Sequence, residues 1–192
     1  TDVEDTSFTY TIVEQPDNGT LGTVGNTVIY TPSANYYGLD TFTYTATDSD
    51  SGVSNVATVS ITVTAVNDAP VSADGSVTTA EDTAVNVALS GSDVDGDTLT
   101  YTVGTATNGT VTVSGNTATY TPNTNYNGTD SFTFTASDGT LTSNTSTITV
   151  TVTSVNDVPE ASNIIVTTQE DTSIEVTFSA TDVEDTNFTY TI

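Results

Sequence analysis

Apolar residues alternate with threonine in short runs along most of this chain. LTYTV (99–103) sets Leu99, Tyr101 and Val103 on one face and threonine on the other. FTFTA (132–136), ITVTV (148–152) and VNVAL (85–89) follow the same rule. Strict alternation predicts strands with one face buried and one solvated. Threonine suits the solvated face because it is β-branched yet still hydrogen-bonds water. Turn signals such as NGT at Asn108 and SGN at Ser114 separate the runs. No stretch shows the 3.6-residue period of a helix, so the chain reads as all-β.

The runs recur in blocks. AVNDAP (65–70) returns as SVNDVP (154–159), a shift of 89. AEDTAVNVALSGSD (80–93) returns as QEDTSIEVTFSATD (169–182), again shifted by 89. YTPSANYYGLDTFTYTATD (30–48) returns as YTPNTNYNGTDSFTFTASD (120–138), shifted by 90. A period of this size is a domain rather than a solenoid turn. With about seven short strands per block, each domain is expected to be an antiparallel β-sandwich of immunoglobulin-like architecture. The expected boundaries are a repeat lacking its first two strands at 1–69, a complete repeat at 70–158, and the start of a third at 159–192. The chain thus reads as a piece of a continuous, extended array. The alternative is that the incomplete ends complete each other between identical molecules, with 159–192 supplying the strands that 1–69 lacks.

Charge changes the picture next. Among 192 residues there are 25 acids and no Lys, Arg or His, giving a formal charge of −25. Such self-repulsion weakens the compact state unless a counter-charge comes from outside. Nucleic acid is a poor partner, because binding it depends on Lys and Arg. Anionic membrane surfaces are excluded on the same ground, and no stretch is long and apolar enough to insert as a spanning helix. Cysteine is absent, so neither disulfides nor thiolate metal sites can form. Catalysis is the least supported class, because no His, Cys or Lys can serve as base or nucleophile. A carboxylate-pair glycosidase would place its acids in one cleft, whereas here they repeat in every block.

The acids avoid the strand faces and gather in loops. One phrase, DVDGD, supplies Asp93, Asp95 and Asp97, and is matched by Asp2, Glu4 and Asp5 and by Asp182, Glu184 and Asp185. A second group is Asn67–Asp68, matched by Asn156–Asp157; a third is Glu81–Asp82, matched by Glu170–Asp171. A fourth flanks the FTFTA strand, with Asp130 before and Asp138 after, matched by Asp40 and Asp48. DVDGD is not an EF-hand, since Thr98 and Gly104 stand where that loop needs Gly and Glu. The sandwich topology predicts one junction collecting Asp40, Asn67, Asp68, Asp93, Asp95, Asp97 and Asp138. The next collects Glu81, Asp82, Asp130, Asn156, Asp157, Asp182, Glu184 and Asp185. So many carboxylates together call for a cation, and all-oxygen donors suit calcium.

These phrases resemble those of cadherin repeats. VNDAP resembles the linker, with Ala65 or Ser154 in place of the leading Asp. DVDGDTLTY resembles the Asp-x-Asp loop with its following strand, FTFTASDG the penultimate strand, and Glu81 and Glu170 the glutamate of the first strand region. As a set they resemble the tandem cadherin-like repeats of large bacterial surface adhesins. The resemblance implies calcium bound between consecutive domains, stiffening the array. It also implies a non-enzymatic extender module at the cell surface, in adhesion, with neighbouring repeats or identical molecules end to end as partners. Trp is absent, so strand exchange anchored by Trp cannot operate. Tyr30, Tyr36, Tyr120 and Tyr126 recur at equivalent positions and are expected to pack rather than to bind sugar.

Overall fold

The computed structural model describes residues 7–24 and 27–191. The chain divides into two units, Thr1–Asp68 and Ala69–Ile192. In the first, β1 (Thr9–Glu14), β4 (Gly38–Thr47) and β5 (Ala57–Val63) form one antiparallel sheet in the order β1-β4-β5. There β2 (Gly19–Val24) and β3 (Thr27–Pro32) form a hairpin.

The second unit contains β6 (Val71–Ala73), β7 (Gly75–Ala80), β8 (Val85–Ala88), β9 (Ser90–Ser92) and β10 (Thr100–Val103). It continues through β11 (Gly109–Ser114), β12 (Thr117–Pro122), β13 (Gly128–Ser137) and β14 (Ser146–Thr153). One sheet runs β10-β13-β14-β7, a second β11-β12-β8, and β6 pairs with β9. After β14, β15 (Glu160–Ala161) pairs with β16 (Ala180–Thr181). This pair lies 89 residues beyond the β6–β9 pair and keeps its register, Glu160↔Thr181 for Val71↔Ser92.

The alternating pattern does what its period demands. Along β13, Asp130, Phe132, Phe134 and Ala136 are buried while Ser131 and Thr133 face solvent. Phe132 and Phe134 join Leu89, Ala118, Tyr120, Ile148, Val150 and Val152 in the core. Burying an aliphatic or aromatic side chain of this size stabilises by about 1.5–3 kcal/mol.

One expectation needs correcting. The sandwich is not wholly antiparallel, because β7 runs parallel to β14 from Ile148↔Gly75 to Thr153↔Ala80. The cause is a change of sheet. The chain leaves β6 and crosses to the opposite sheet at Asp74, whose Oδ1 accepts the Thr147 N–H at 2.7 Å. Gly75 opens β7 where a Cβ would stand 2.9 Å from Ile148 Cδ1, so a larger residue there would require the Ile148 side chain to shift.

The registers fix which loops share an end. Thr100↔Ser137 and Val71↔Ser92 put the loops after β9 and after β13 at the end where Pro70 leads in. Thr153↔Ala80 and Gly128↔Val152 put Glu81, the loop before β13 and the segment after β14 at the other end.

Candidate metal centre

At the first end, the DVDGD loop folds on itself. Asp93 Oδ1 accepts the N–H groups of Asp95 at 2.9 Å and of Asp97 at 3.4 Å. Gly96 allows this closure by taking φ +83°, the left-handed region. One carboxylate oxygen from each of Asp93, Asp95 and Asp97 lies within 4.8 Å of the others. Asp93 Oδ2 is buried with no hydrogen-bond partner. Asp138 shares this end, and its Oδ1 accepts the N–H groups of Thr140 and Leu141, both at 2.6 Å. Asp48 does the same in the first unit for Asp50 at 3.0 Å and Gly52 at 2.6 Å. Both aspartates therefore shape the loop after the long strand.

At the second end, Glu81 is 3% exposed. Its Oε1 accepts the Val155 N–H, while its Oε2 is buried without a partner. Asp82 takes φ +56° and accepts the Asn125 N–H at 3.1 Å, tying two loops together. Beyond β14, Asp157 donates its N–H to Glu184 Oε2 at 3.0 Å, and Asp157 Oδ2 is buried and unpartnered. Asp182 Oδ1 accepts the N–H groups of Glu184 at 3.0 Å and Asp185 at 2.9 Å. Asn156, Asp157, Asp182 and Asp185 line one cleft of about 370 Å³, with Phe188 and Tyr190 on its wall.

Among the described residues, three buried carboxylate oxygens thus lack any donor. A buried anion without a partner is strongly unfavourable, and here no cationic side chain can supply one. The donors are all oxygen, the set that hard divalent cations take. Calcium fits the residues present.

Asp40 and Asp130 have a different role from the one expected of them. Each is buried and is surrounded by donors of its own unit. Asp130 accepts from Ser131 N–H at 2.8 Å, Asn108 N–H at 2.8 Å, Tyr120 O–H at 2.9 Å and Thr107 N–H at 3.3 Å. Asp40 accepts from Tyr30 O–H at 2.8 Å, Thr41 N–H at 2.9 Å, Asn18 N–H at 3.0 Å and Asp17 N–H at 3.2 Å. Two donors per oxygen leave no lone pair for a cation. Burial pushes both carboxyls up, but these hydrogen bonds outweigh it and hold them below the ordinary aspartate range. Burial, then the bond to Asp40 and its charge, push the Tyr30 hydroxyl up to about 12, and Tyr120 beside Asp130 is raised further. Of the four tyrosines expected to pack, Tyr30 and Tyr120 are therefore the partners of these acids, while Tyr36 and Tyr126 donate to the carbonyls of Leu39 and Thr129. The signal was present in the sequence as a tyrosine ten residues before an aspartate, twice.

Asn67 and Asp68 stand in the first unit, where Asn67 Nδ2 donates to the Asp68 carbonyl at 3.2 Å. Asn156 makes the same bond to the Asp157 carbonyl. Asp2 and Glu4, with Asp5, lie outside the described residues.

The structure resembles cadherin extracellular repeats. Human CDH23 EC21–23 superposes with a TM-score of 0.62 at 19% identity, over 94% of this chain and 70% of that one. The protocadherin GammaB4 extracellular domain gives 0.55 at 18% identity, over 92% of this chain and 34% of that one. An endo-fucoidan hydrolase of glycoside hydrolase family 107 is 27% identical over 77% of this chain with a TM-score of 0.36, and the chain spans only 24% of that enzyme. A comparison with curated proteins returned no match. The two cadherin likenesses show a cadherin-like, immunoglobulin-like β-sandwich fold. Residues 1–62 and 67–151 match the family described as "Bacterial Ig domain", so the chain belongs to that family.

Proposed function

We propose that the chain is a structural extender of an extracellular surface protein, whose repeats are joined by calcium into a stiff stalk that serves adhesion. The observation carrying this reading is the trio of buried, donor-less oxygens, Glu81 Oε2, Asp93 Oδ2 and Asp157 Oδ2, in a chain without one cationic side chain. Around the 154–158 linker, Glu81, Asn156, Asp157, Asp182, Glu184 and Asp185 supply the ligands. Repetition carries the same residue types to Asn67, Asp68, Asp93, Asp95 and Asp97. Bound calcium replaces mutual repulsion of the carboxylates with a shared attraction, so a flexible linker becomes a joint. Extracellular modules bind calcium at roughly 0.1–1 mM, matching an outside medium and not a cytosol. No helix among the described residues is long and apolar enough to cross a membrane. The module needs no catalytic group.

Small-angle scattering and thermal unfolding at constant ionic strength test the proposal. Calcium should extend and narrow the distribution of shapes and raise Tm, and chelator should reverse both. Identical profiles with and without chelator would sink it.

One observation favours a second reading, a filament of identical chains. Tyr10, Ile12, Val28, Phe42, Tyr44 and Val59 line an open cavity of about 420 Å³ in the first unit. In the second unit, the core is covered by Val77, Val85, Val87 and Leu89. Ile164, Val166, Ile174, Val176 and Phe178 stand 89 residues beyond Gly75, Val77, Val85, Val87 and Leu89, and all five are exposed. Even the crossing is compensated, with Ile164 for Gly75 and Val59 for Ile148. In this reading, strands 160–181 of one copy cover the first unit of the next. By the Thr117↔Ala88 register, Thr27 of one copy would face Thr177 of another. Oxidising the Thr27→Cys/Thr177→Cys variant should give a ladder of linked chains, and monomers alone would reject it.

A further inference from the structure

An asparagine side chain fastens β6. Asn144 Oδ1 accepts the Ser72 N–H at 3.0 Å, and Asn144 Nδ2 donates to the Ser72 carbonyl at 3.0 Å. A side-chain amide carries the same donor and acceptor as a peptide group, so Asn144 pairs with β6 as a strand would. The residue before it is fixed from behind. Ser143 N–H donates to the Ala136 carbonyl at 2.9 Å, while Ser143 Oγ accepts the Ala136 N–H at 2.9 Å and donates to the Asn144 carbonyl at 2.7 Å. Beside β6, a Cβ on Gly91 of β9 would stand 2.9 Å from the Tyr101 hydroxyl and 3.2 Å from Leu99 Cδ1, so β9 lies directly on both. The first unit contains the same holder. Ser54 N–H donates to the Ala46 carbonyl at 2.9 Å, while Ser54 Oγ accepts the Ala46 N–H at 2.9 Å and donates to the Asn55 carbonyl at 2.8 Å. Asn55 stands 89 residues before Asn144, and its Nδ2 turns to the carbonyl of its own neighbour Val56 at 3.2 Å. Next to it lies an open cavity of about 510 Å³, lined in part by Phe8, Tyr10, Ala46 and Ser54, the counterparts of Leu99, Tyr101, Ala136 and Ser143.

We infer that Asn55 is a clamp for an incoming strand, and that its occupant is Ala161 of a second copy, held by its backbone N–H and C=O. The inference rests on the filament reading above and adds to it a polar anchor. Ala161 stands 89 residues after Ser72, in β15, and β15 keeps with β16 the register of β6 with β9. A paired replacement fits this occupant. In the second unit, Ser72 Oγ meets Ser146 Oγ at 2.8 Å, and both residues are buried. Ala161 stands for Ser72 and Ala57 for Ser146, so a hydroxyl pair becomes a methyl pair and neither side brings a polar atom that needs the other. The clamp also sets register. Alternating apolar residues keep the same face buried after a slip of two, whereas an amide that takes the N–H and C=O of one residue fixes which residue that is.

The rate at which the oxidised Thr27→Cys/Thr177→Cys chain forms its ladder reads the clamp directly. Asn55→Ala removes both amide bonds to the incoming strand, and Ala161→Pro removes the N–H that Asn55 would accept. Each should slow the ladder about tenfold or more, because a strand end is then seated with unpaired backbone groups. Thermal unfolding of the reduced, dilute chain separates a clamp for a second copy from a part of the unit's own structure. Asn144→Ala should lower the Tm of the second unit, whose β6 it holds, whereas Asn55→Ala should leave the Tm of the first unit unchanged. A ladder that forms at the parent rate in both variants overturns the clamp and leaves the filament reading standing. So does a loss of Tm from Asn55→Ala equal to that from Asn144→Ala. Monomers alone from the parent cysteine pair reject the filament reading, and with it Ala161 as the occupant.

Discussion

The two units bury the same lock and very different cores. Tyr30 and Tyr120 each cap the aspartate ten residues later, with O–H to Oδ2 distances of 2.8 and 2.9 Å. Yet Tyr120 is 0% exposed, and Tyr30 is only partly buried. Phe132 is 1% exposed and its counterpart Phe42 is 8%, while Tyr44 is only partly buried where Phe134 is buried. The lock draws its donors from one loop and the two strands nearest the aspartate, which both units possess. The core needs β7, β8 and Leu89 laid across it, and those belong to the second unit alone. Local polar networks therefore survive where long-range apolar cover does not.

The sharpest way to break this comparison is to truncate the equivalent phenylalanines. Phe132→Ala should cost about 3–5 kcal/mol in urea unfolding, the range for a large aromatic removed from a sealed core. Phe42→Ala should cost clearly less, because water already reaches its neighbours. Equal losses would mean that the open face is closed in solution.

Removing the lock should do the reverse. Tyr120→Phe leaves Asp130 short of one donor and should cost about 1–3 kcal/mol. Tyr30→Phe should cost a similar amount in the first unit, since the same donors surround Asp40. Unfolding monitored unit by unit, with a fluorophore placed in each, measures both. A loss confined to the second unit would show that the lock depends on the core after all.

The smallest effect is a matter of pH. Asp40 and Asp130 are held below the ordinary aspartate value, so their contribution is complete above about pH 4 and is lost as pH falls through the lowered value. Tyr30 is shifted the other way. Its contribution is complete below about pH 10 and is lost as pH rises through about 12. Acid unfolding of Asp130→Asn should show a shallower loss than the parent, and alkaline tyrosinate absorbance should place Tyr30 before Tyr120.

Much of this was legible in the chain. The runs FTFTA and ITVTV appear as β13 and β14, because a two-residue period leaves a strand only one way to bury its apolar set. The 89-residue shift likewise carried the β6–β9 register over to β15–β16. Two things were hidden. Alternation says which face is buried but not which neighbour a strand takes, so the parallel β7 could not be read from GSVTTA. Asp130 and Asp138 also look alike in sequence, each an acid beside a strand. What separates them is the tyrosine that β12 places over one; its ten-residue spacing can be read from the sequence, but its contact with the carboxylate exists only once the sheet is formed.

The change of sheet at Asp74 has a mechanical consequence. Because β7 and β14 run parallel, the chain comes in at the top of one strand and leaves from the bottom of its neighbour. Tension applied at the start of β7 and the end of β14 would pull these two strands past each other lengthwise. The ladder from Ile148↔Gly75 to Thr153↔Ala80 would then be loaded all at once, in shear, instead of being peeled apart one rung at a time. A domain wired in this way resists stretching through β7 and β14.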